Sequence, residues 1–298
     1  MTNNIHDCII LGSGPAALTA GLYLGRSRNF PLIIEGPIPG GQLTTTYKVE
    51  NYPGIEQIEG PELVSNMRKQ ATNFGCNFEV STIISADFEN NLIKIFSNNK
   101  SYETKSLIIA TGSSHKELGV PGEREFHNAG VFTCFTCDGA FYQDEKVVIV
   151  GGGDTAFEAC LYLSNICSEI ILIHRSETFR GSKILLEKIQ KLENVKIVTN
   201  SNITHIQGKG CVQSVRVNNE YDIECTGVCI CVGHNPNTNI FKNWLELDSN
   251  GYIIKEKINI PGVFVCGDCC DPTYQQAAVA VGSGCIAAID CTKYLNSF

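Results

Sequence analysis

At 298 residues the chain exceeds the roughly 100–200 residues of a single domain and has room for two units with separate cores. Its composition, 43% hydrophobic and 18% charged, is that of a globular protein and excludes a disordered or fibrous one. The formal charge of −8, with no basic run, speaks against a nucleic-acid partner, because affinity for phosphate backbones is built on clustered Lys and Arg.

The opening Met1-Thr-Asn-Asn-Ile-His-Asp7 lacks the charged-then-apolar order of a signal peptide. No apolar run reads as approaching the roughly 18 residues of a bilayer span, so a cytoplasmic setting without a membrane partner is expected. The strand-length stretch Asp7-Cys-Ile-Ile-Leu11 then runs into Gly12-Ser-Gly14-Pro-Ala-Ala17 and the helix-like Leu18-Thr-Ala-Gly-Leu-Tyr-Leu24. That order sets a helix N-terminus, with its free N–H groups and positive dipole end, where a pyrophosphate can sit. Gly12 would make the tight turn, Gly14 would let the backbone approach the phosphates, and Ala17 is small enough for close helix packing. A second strand, Pro31-Leu-Ile-Ile34, ends in Glu35, 23 residues after Gly12, placed to accept hydrogen bonds from an adenosine ribose. A chance glycine-rich turn is the alternative, and the strand, helix and acid in sequence favour a dinucleotide site. Residues 83 to 106 read as a β-hairpin appended to this unit, turning at Glu89-Asn-Asn91, and Leu107-Ile-Ile-Ala110-Thr111-Gly112 as a strand that closes it.

Next comes Val131-Phe-Thr-Cys134-Phe-Thr-Cys137-Asp138-Gly139. Two cysteines with two residues between them can close a small disulphide beside an acid that could carry a proton, which is redox chemistry. Spacing alone does not decide this, since Cys266-Gly-Asp-Cys269 shares it in a chain of fifteen cysteines, and Asp138-Gly139 could be only a turn. The remaining cysteines, Cys160, Cys229 and Cys231 among them, are expected as free thiols acting as small hydrophobes, and the odd count forbids complete pairing.

The glycine pattern then returns at Lys146-Val-Val-Ile-Val150, Gly151-Gly-Gly153-Asp154-Thr155-Ala156 and the helix-like Phe157-Glu-Ala-Cys-Leu-Tyr-Leu163. A strand, Glu169-Ile-Ile-Leu-Ile173, leads to His174, again 23 residues after the first glycine, followed by Arg175 and Arg180. An acid at that station would repel a 2′-phosphate, whereas a guanidinium can grip one. The first unit thus reads as an FAD site and the second as an NADPH site, the alternative for the latter being a solvated basic turn. Val228-Cys-Ile-Cys-Val-Gly233 closes the second unit. In the tail, Ile260-Pro-Gly-Val-Phe-Val265 stops at Cys266-Gly-Asp268 before a helix-like stretch from Tyr274, so Asp268 could aim at a ribitol or phosphate, or merely cap a helix.

In this order, and over nearly the whole length, the motifs resemble those of the low-molecular-weight thioredoxin reductases. The resemblance rests on Gly12-Ser-Gly-Pro-Ala, Gly40-Gly-Gln42-Leu, Glu50-Asn51-Tyr-Pro-Gly, Ala110-Thr-Gly, the Cys134/Cys137 dithiol, Gly151-Gly-Gly-Asp-Thr-Ala, His174-Arg, Gly267-Asp268 and Gln276-Ala277. The dithiol followed by Asp-Gly is the most family-specific of these. The resemblance implies an α/β fold of two Rossmann-like FAD/NAD(P)-binding domains, the second inserted into the first: FAD-binding at residues 1–115 and 246–298, NADPH-binding with the dithiol at residues 116–245. It also implies a homodimer and rotation of the inserted domain about hinges near residues 113 to 120 and 241 to 248. FAD would be held by Gly12, Ser13, Gly14, Pro15, Ala16, Glu35, Gly40, Gln42, Leu43, Asn51, Ala110, Thr111, Gly112, Asp268, Gln276 and Ala277. NADPH would be held by Gly153, Asp154, Thr155, His174, Arg175 and Arg180. Electrons would pass from NADPH through FAD to the Cys134–Cys137 disulphide and on to thioredoxin or a related small disulphide protein. Cys137 would face the flavin, Cys134 would attack the partner and Asp138 would handle the proton.

Two positions depart from the family pattern: Ser176 stands where a second arginine is common, and Gln275 where an arginine usually precedes Gln-Ala. Ser176 weakens the case for strict NADPH preference, and Gln275 is expected to tune FAD affinity or domain contacts. Among rivals, a flavoprotein reductase of ferredoxin or flavodoxin would not need the dithiol, and a dithiol oxidase would not need His174, Arg175 and Arg180. A zinc module built on Cys225, Cys229 and Cys231 or on Cys266, Cys269 and Cys270 lacks ordered ligand spacing, so no metal is expected.

Overall fold

The computed structural model describes residues 5–46, 48–89 and 92–297. It divides into two units, Met1–Ser114 with Asn235–Phe298 and His115–His234. The expected hairpin turn at Glu89-Asn-Asn91 lies partly outside the described residues.

The first unit runs β1 (Ile5–Leu11), α1 (Pro15–Arg26), β2 (Leu32–Glu35), α2 (Gly60–Asn73), β3 (Asn77–Val80), β4 (Ile83–Asp87), β5 (Ile93–Ser97), β6 (Ser101–Ile109) and β7 (Ser113–His115). Its sheet has the order β3-β2-β1-β6-β5-β4, with the β3-β2, β2-β1 and β1-β6 pairings parallel and β4-β5-β6 antiparallel. Cys8–Leu11, Leu32–Ile34 and Leu107–Ile109 are buried on both faces, as continuous apolar runs must be in a covered parallel sheet.

The inserted unit runs β8 (Val131–Phe132), α3 (Phe135–Asp138), β9 (Lys146–Gly151), α4 (Asp154–Leu163), β10 (Glu169–Ile173), α5 (Lys183–Ile189), β11 (Val195–Val198), β12 (Ile203–Gly208), β13 (Val212–Val217), β14 (Tyr221–Glu224), β15 (Gly227–Cys231) and β16 (His234–Pro236). Its sheet is wholly parallel in the order β11-β10-β9-β15-β8, and β12-β13-β14 form a separate antiparallel sheet. The chain then completes the first unit with β17 (Val263–Val265) and α6 (Ala277–Leu295), β17 pairing in parallel with the second half of β6.

The return to the first unit falls at Asn235, earlier than the expected 246. Phe241 and Leu245 are the reason: both are buried in the cluster that contains Ile34, Ile109 and Val265, which places them in the first unit. The boundaries between the units fall within the short strands β7 and β16, the first of them inside the expected 113 to 120 stretch.

The last helix also corrects an expectation, for α6 is long and apolar enough by length and composition to cross a membrane. One of its faces packs into the first unit's core. Ala280, Gly284, Ala287, Ala288 and Cys291 are buried, and its apolar character comes from small residues that let it lie close to α1. The closest approach is at Gly284, where a Cβ would stand 2.2 Å from the Ala16 carbonyl oxygen, while a Cβ on exposed Gly282 would meet nothing within 4 Å. Glycine costs a helix interior about 1 kcal/mol relative to alanine, but a backbone clash costs about 1–3 kcal/mol. Gly282→Ala should therefore raise the urea midpoint and Gly284→Ala should lower it, two opposite shifts from the same substitution two residues apart.

Candidate functional site

In the first unit the glycine turn after β1 is fixed by backbone proximity. Gly12 has φ 107°, and a Cβ there would lie 2.2 Å from the Ala110 carbonyl oxygen at the end of β6. The Ser13 hydroxyl, buried, accepts from Gly40 N–H at 2.8 Å, which draws the Gly40-Gly41 loop over the start of α1. Gly14 is the N-cap of that helix and Pro15 its first residue, and a Cβ on Gly41 would reach Gly14 Cα at 3.4 Å. The result is a cradle of bare backbone at a helix N-terminus, the geometry that admits a phosphate. Ala16 is buried beneath it, and Leu43 is partly buried against the same core.

Glu35 ends β2 and is 2% exposed, and one of its carboxylate oxygens already accepts from Arg68 of α2. Arg68 in turn lies 3.9 Å above the Phe78 ring. Sequence reasoning missed Arg68, since nothing local ties it to an acid 33 residues earlier. Gln42 donates to the Ser113 carbonyl at 2.7 Å and its hydroxyl at 3.2 Å, so it ties the cradle to the strand end beyond Gly112. Gly112 has φ 65°, its carbonyl accepts from Asn237 N–H at 3.0 Å, and Ala110 is buried. Next to it the Thr111 hydroxyl is buried with no hydrogen-bond partner among the described residues, a polar atom left for a ligand to satisfy. Asn51 donates to Gln276 at 3.3 Å, and Ala277 begins α6. Burial, then the neighbouring Asp271, raises the Asp268 carboxyl to about 6, so the site disfavours a bare negative charge there and favours a donor that would meet it. The bare-backbone cradle and the orphaned Thr111 hydroxyl fit a dinucleotide such as FAD.

In the inserted unit the same turn recurs: a Cβ on Gly151 would lie 2.4 Å from the Cys231 carbonyl oxygen. Gly153 is the N-cap of α4 and its Cβ position faces open space. His174 sits against Gly152, where any Cβ would strike its ring at 2.2 Å, stacks on Phe179 with centroids 4.7 Å apart, and has Nε2 3.1 Å from the Thr178 carbonyl. The basic loop is folded back by Arg180 and Gly181 N–H groups on the Gly152 carbonyl, and by the Asp154 carboxylate, which accepts from Ser182 N–H at 2.6 Å. Asp154 thus holds the loop as well as starting the helix. Thr155, Arg175 and Arg180 are exposed, and neither guanidinium enters an ion pair among the described residues. The open helix N-terminus and two unpaired guanidiniums fit a phosphorylated nicotinamide nucleotide.

Cys134 and Cys137 form a disulphide with their Cα atoms 5.2 Å apart, Cys134 capping the one-turn helix α3. The rival pair, Cys266 and Cys269, is buried and free, and the Cys269 thiol donates to the carbonyls of Ile109 and Cys266. Asp138 closes α3 half-buried, and burial raises its carboxyl to about 6. Beneath it Tyr142 stacks on Phe132 at 4.6 Å, its phenol pushed up by burial and then by Asp138. Gly139 permits this seat, because a Cβ would stand 2.7 Å from Leu163 of α4. On the other side of the motif, Thr133 bonds His115 Nε2 at 3.1 Å.

A family model described as "Pyridine nucleotide-disulphide oxidoreductase" matches residues 6–284. A thioredoxin reductase of Escherichia coli O157:H7 is 42% identical over 99% of this chain and 98% of its own, and one of Mycolicibacterium smegmatis 40% identical over 99% and 98%. The crystal structure of thioredoxin reductase from Streptococcus pyogenes MGAS5005 superposes with a TM-score of 0.93 at 37% identity, covering both chains completely. The two glycine-turn units, the disulphide and these full-length similarities agree, and the chain belongs to the pyridine nucleotide-disulphide oxidoreductases, in the thioredoxin reductase family.

Proposed function

We propose that the chain is a thioredoxin-disulphide reductase, carrying electrons from NADPH through FAD and the Cys134–Cys137 disulphide to oxidised thioredoxin. The observation that carries this reading is the disulphide followed by a half-buried acid whose carboxyl burial raises to about 6. The first unit would hold FAD through Gly12, Ser13, Gly14, Pro15, Ala16, Glu35, Gly40, Gln42, Leu43, Asn51, Ala110, Thr111, Gly112, Asp268, Gln276 and Ala277. The inserted unit would hold NADPH through Gly153, Asp154, Thr155, His174, Arg175 and Arg180. Bound together, the two cofactors supply a two-electron reduction. A homodimer and a cytoplasmic setting belong to the same proposal.

The work of the chain itself is thiol chemistry. Reduction breaks the Cys134–Cys137 bond and leaves one thiolate and one thiol. Cys134, at the N-terminal end of α3, attacks one sulphur of the partner disulphide, forming a mixed disulphide and releasing the partner's other thiolate. Cys137 then attacks Cys134, which restores the internal disulphide and leaves the partner as a dithiol. Asp138, with its carboxyl near 6, holds a proton at neutral pH often enough to deliver it to the departing thiolate and is basic enough to take it back. Arg175 and Arg180 would grip the coenzyme's 2′-phosphate through charge-assisted bonds.

Three outcomes follow. Cys134→Ser should still let NADPH bleach the flavin but should abolish thioredoxin reduction, and reduction at the parent rate would contradict the assignment. Folded Asp138 holds its proton more tightly than the unfolded chain, whose carboxyl titrates at 3.8. The carboxyl therefore costs no stability below about pH 4 and about 2 kcal/mol or less once the pH has risen through 6. Asp138→Asn should flatten the fall in urea midpoint between pH 4 and 6.5 while lowering turnover by about 100-fold. Replacing Arg175 and Arg180 with alanine together should raise the KM for NADPH by about 10–100-fold and leave that for NADH nearly unchanged.

A further inference from the structure

Among the described residues, seven non-glycine residues have positive φ, and five of them are Asn or Asp, which tolerate the left-handed region. A sixth, Arg28, directly follows the C-cap of α1, where a left-handed residue is common. Gln275, with φ 46°, has neither excuse, because it leads into a helix. A long side chain in that region costs about 1–3 kcal/mol and persists only where its surroundings over-determine it.

Two residues hold it there. The Asp271 carboxylate accepts from the N–H groups of Thr273 and Tyr274 at 2.9 Å each and of Gln275 at 3.3 Å. The Gln275 amide donates to the Tyr252 phenol oxygen at 3.0 Å. Tyr252 is itself buried, and its N–H donates to the Asp248 carboxylate at 2.8 Å. The next residue, Gln276, adopts the extended N-cap conformation of α6 and accepts from Asn51. Farther along, α6 is pinned where Gly284 meets Ala16, so the body of the helix cannot swing. If Gln275 relaxed to negative φ, only the first turn of α6 could respond, by turning away or unwinding.

We propose that Tyr252 and Asp271 are positioning residues for FAD: they clamp Gln275 in its left-handed conformation so that Gln276 and the first turn of α6 are presented to the flavin. This rests on the FAD reading of the first unit. It assigns the Gln275 departure a conformational role, in which the side chain serves Tyr252 and not the cofactor.

The test is the dissociation constant for FAD of reconstituted apoprotein, followed by flavin fluorescence, together with the bound flavin's absorption spectrum and the melting temperature of the apoprotein. Tyr252→Phe removes only the acceptor and should weaken FAD binding about 3- to 10-fold with a shifted flavin band, and Asp271→Ala should do so more strongly. Gln275→Ala keeps a Cβ but loses the clamp and should also bind weakly. Gln275→Gly accepts positive φ without a clamp, so it should bind FAD nearly as the parent does, and adding Tyr252→Phe to it should change nothing further. Parent-like FAD affinity and spectrum in both Tyr252→Phe and Gln275→Ala would overturn the proposal, as would Gln275→Gly binding as weakly as Gln275→Ala. A fall in apoprotein melting temperature without a change in affinity or spectrum would also overturn it, as a purely structural role. A parent protein that binds no FAD would instead bring down the FAD reading on which the proposal stands.

Discussion

Backbone must meet backbone at the ends of the central strands, and both units are organised by that requirement. Gly12 against the Ala110 carbonyl and Gly151 against the Cys231 carbonyl are the same contact made twice, each too close for any side chain. Each lets a central strand of its unit, β1 or β9, stop hard against a parallel neighbour and turn directly into a helix. The turn leaves N–H groups facing outward at the carboxyl edge of the sheet, where α/β folds bind nucleotides. What is attached to those edges then differs: an acid and a glycine loop in the first unit, a basic loop and a dithiol in the second.

Features set by local chemistry were legible in the sequence. The runs at Asp7–Leu11 and Lys146–Val150 became β1 and β9 because uninterrupted apolar β-branched residues suit a doubly covered strand. Gly12 and Gly151 announced their turns because no other residue could occupy them. Features set by distant partners were not legible. The pairing of Glu35 with Arg68 joins β2 to α2, and the clamp on Gln275 joins residues 23 apart, and no periodicity encodes either. The end of the inserted unit was misplaced for a related reason: residues 235 to 245 read as part of the NADPH-binding domain until Phe241 and Leu245 are seen buried in the first unit's core. In α6, no span-length apolar run stood out in the sequence, because the helix owes its hydropathy to small residues, of which Ala280, Gly284, Ala287, Ala288 and Cys291 are buried.

The choice between the two Cys-x-x-Cys pairs is likewise a matter of surroundings. Cys266 and Cys269 are buried among apolar residues, and burial pushes the Cys266 thiol far up, which leaves it inert. Cys134 and Cys137 are partly accessible, joined, and followed by an acid that burial brings close to neutrality. An acid fully in water would be too weak a base for a thiol, and one fully enclosed could not exchange its proton. Asp138 sits between these limits because α3 is a single turn laid on α4 through Gly139, with Tyr142 underneath.

The central claim is that this disulphide stores electrons in transit between cofactor and partner. Anaerobic titration of the flavin-loaded protein with dithionite counts them directly. The account predicts uptake of two electrons beyond the two that the flavin holds, with the excess lost in Cys137→Ser and recovered as titratable thiol in the parent. Uptake equal to the flavin alone, with the Cys134–Cys137 bond still intact at the end point, would contradict it.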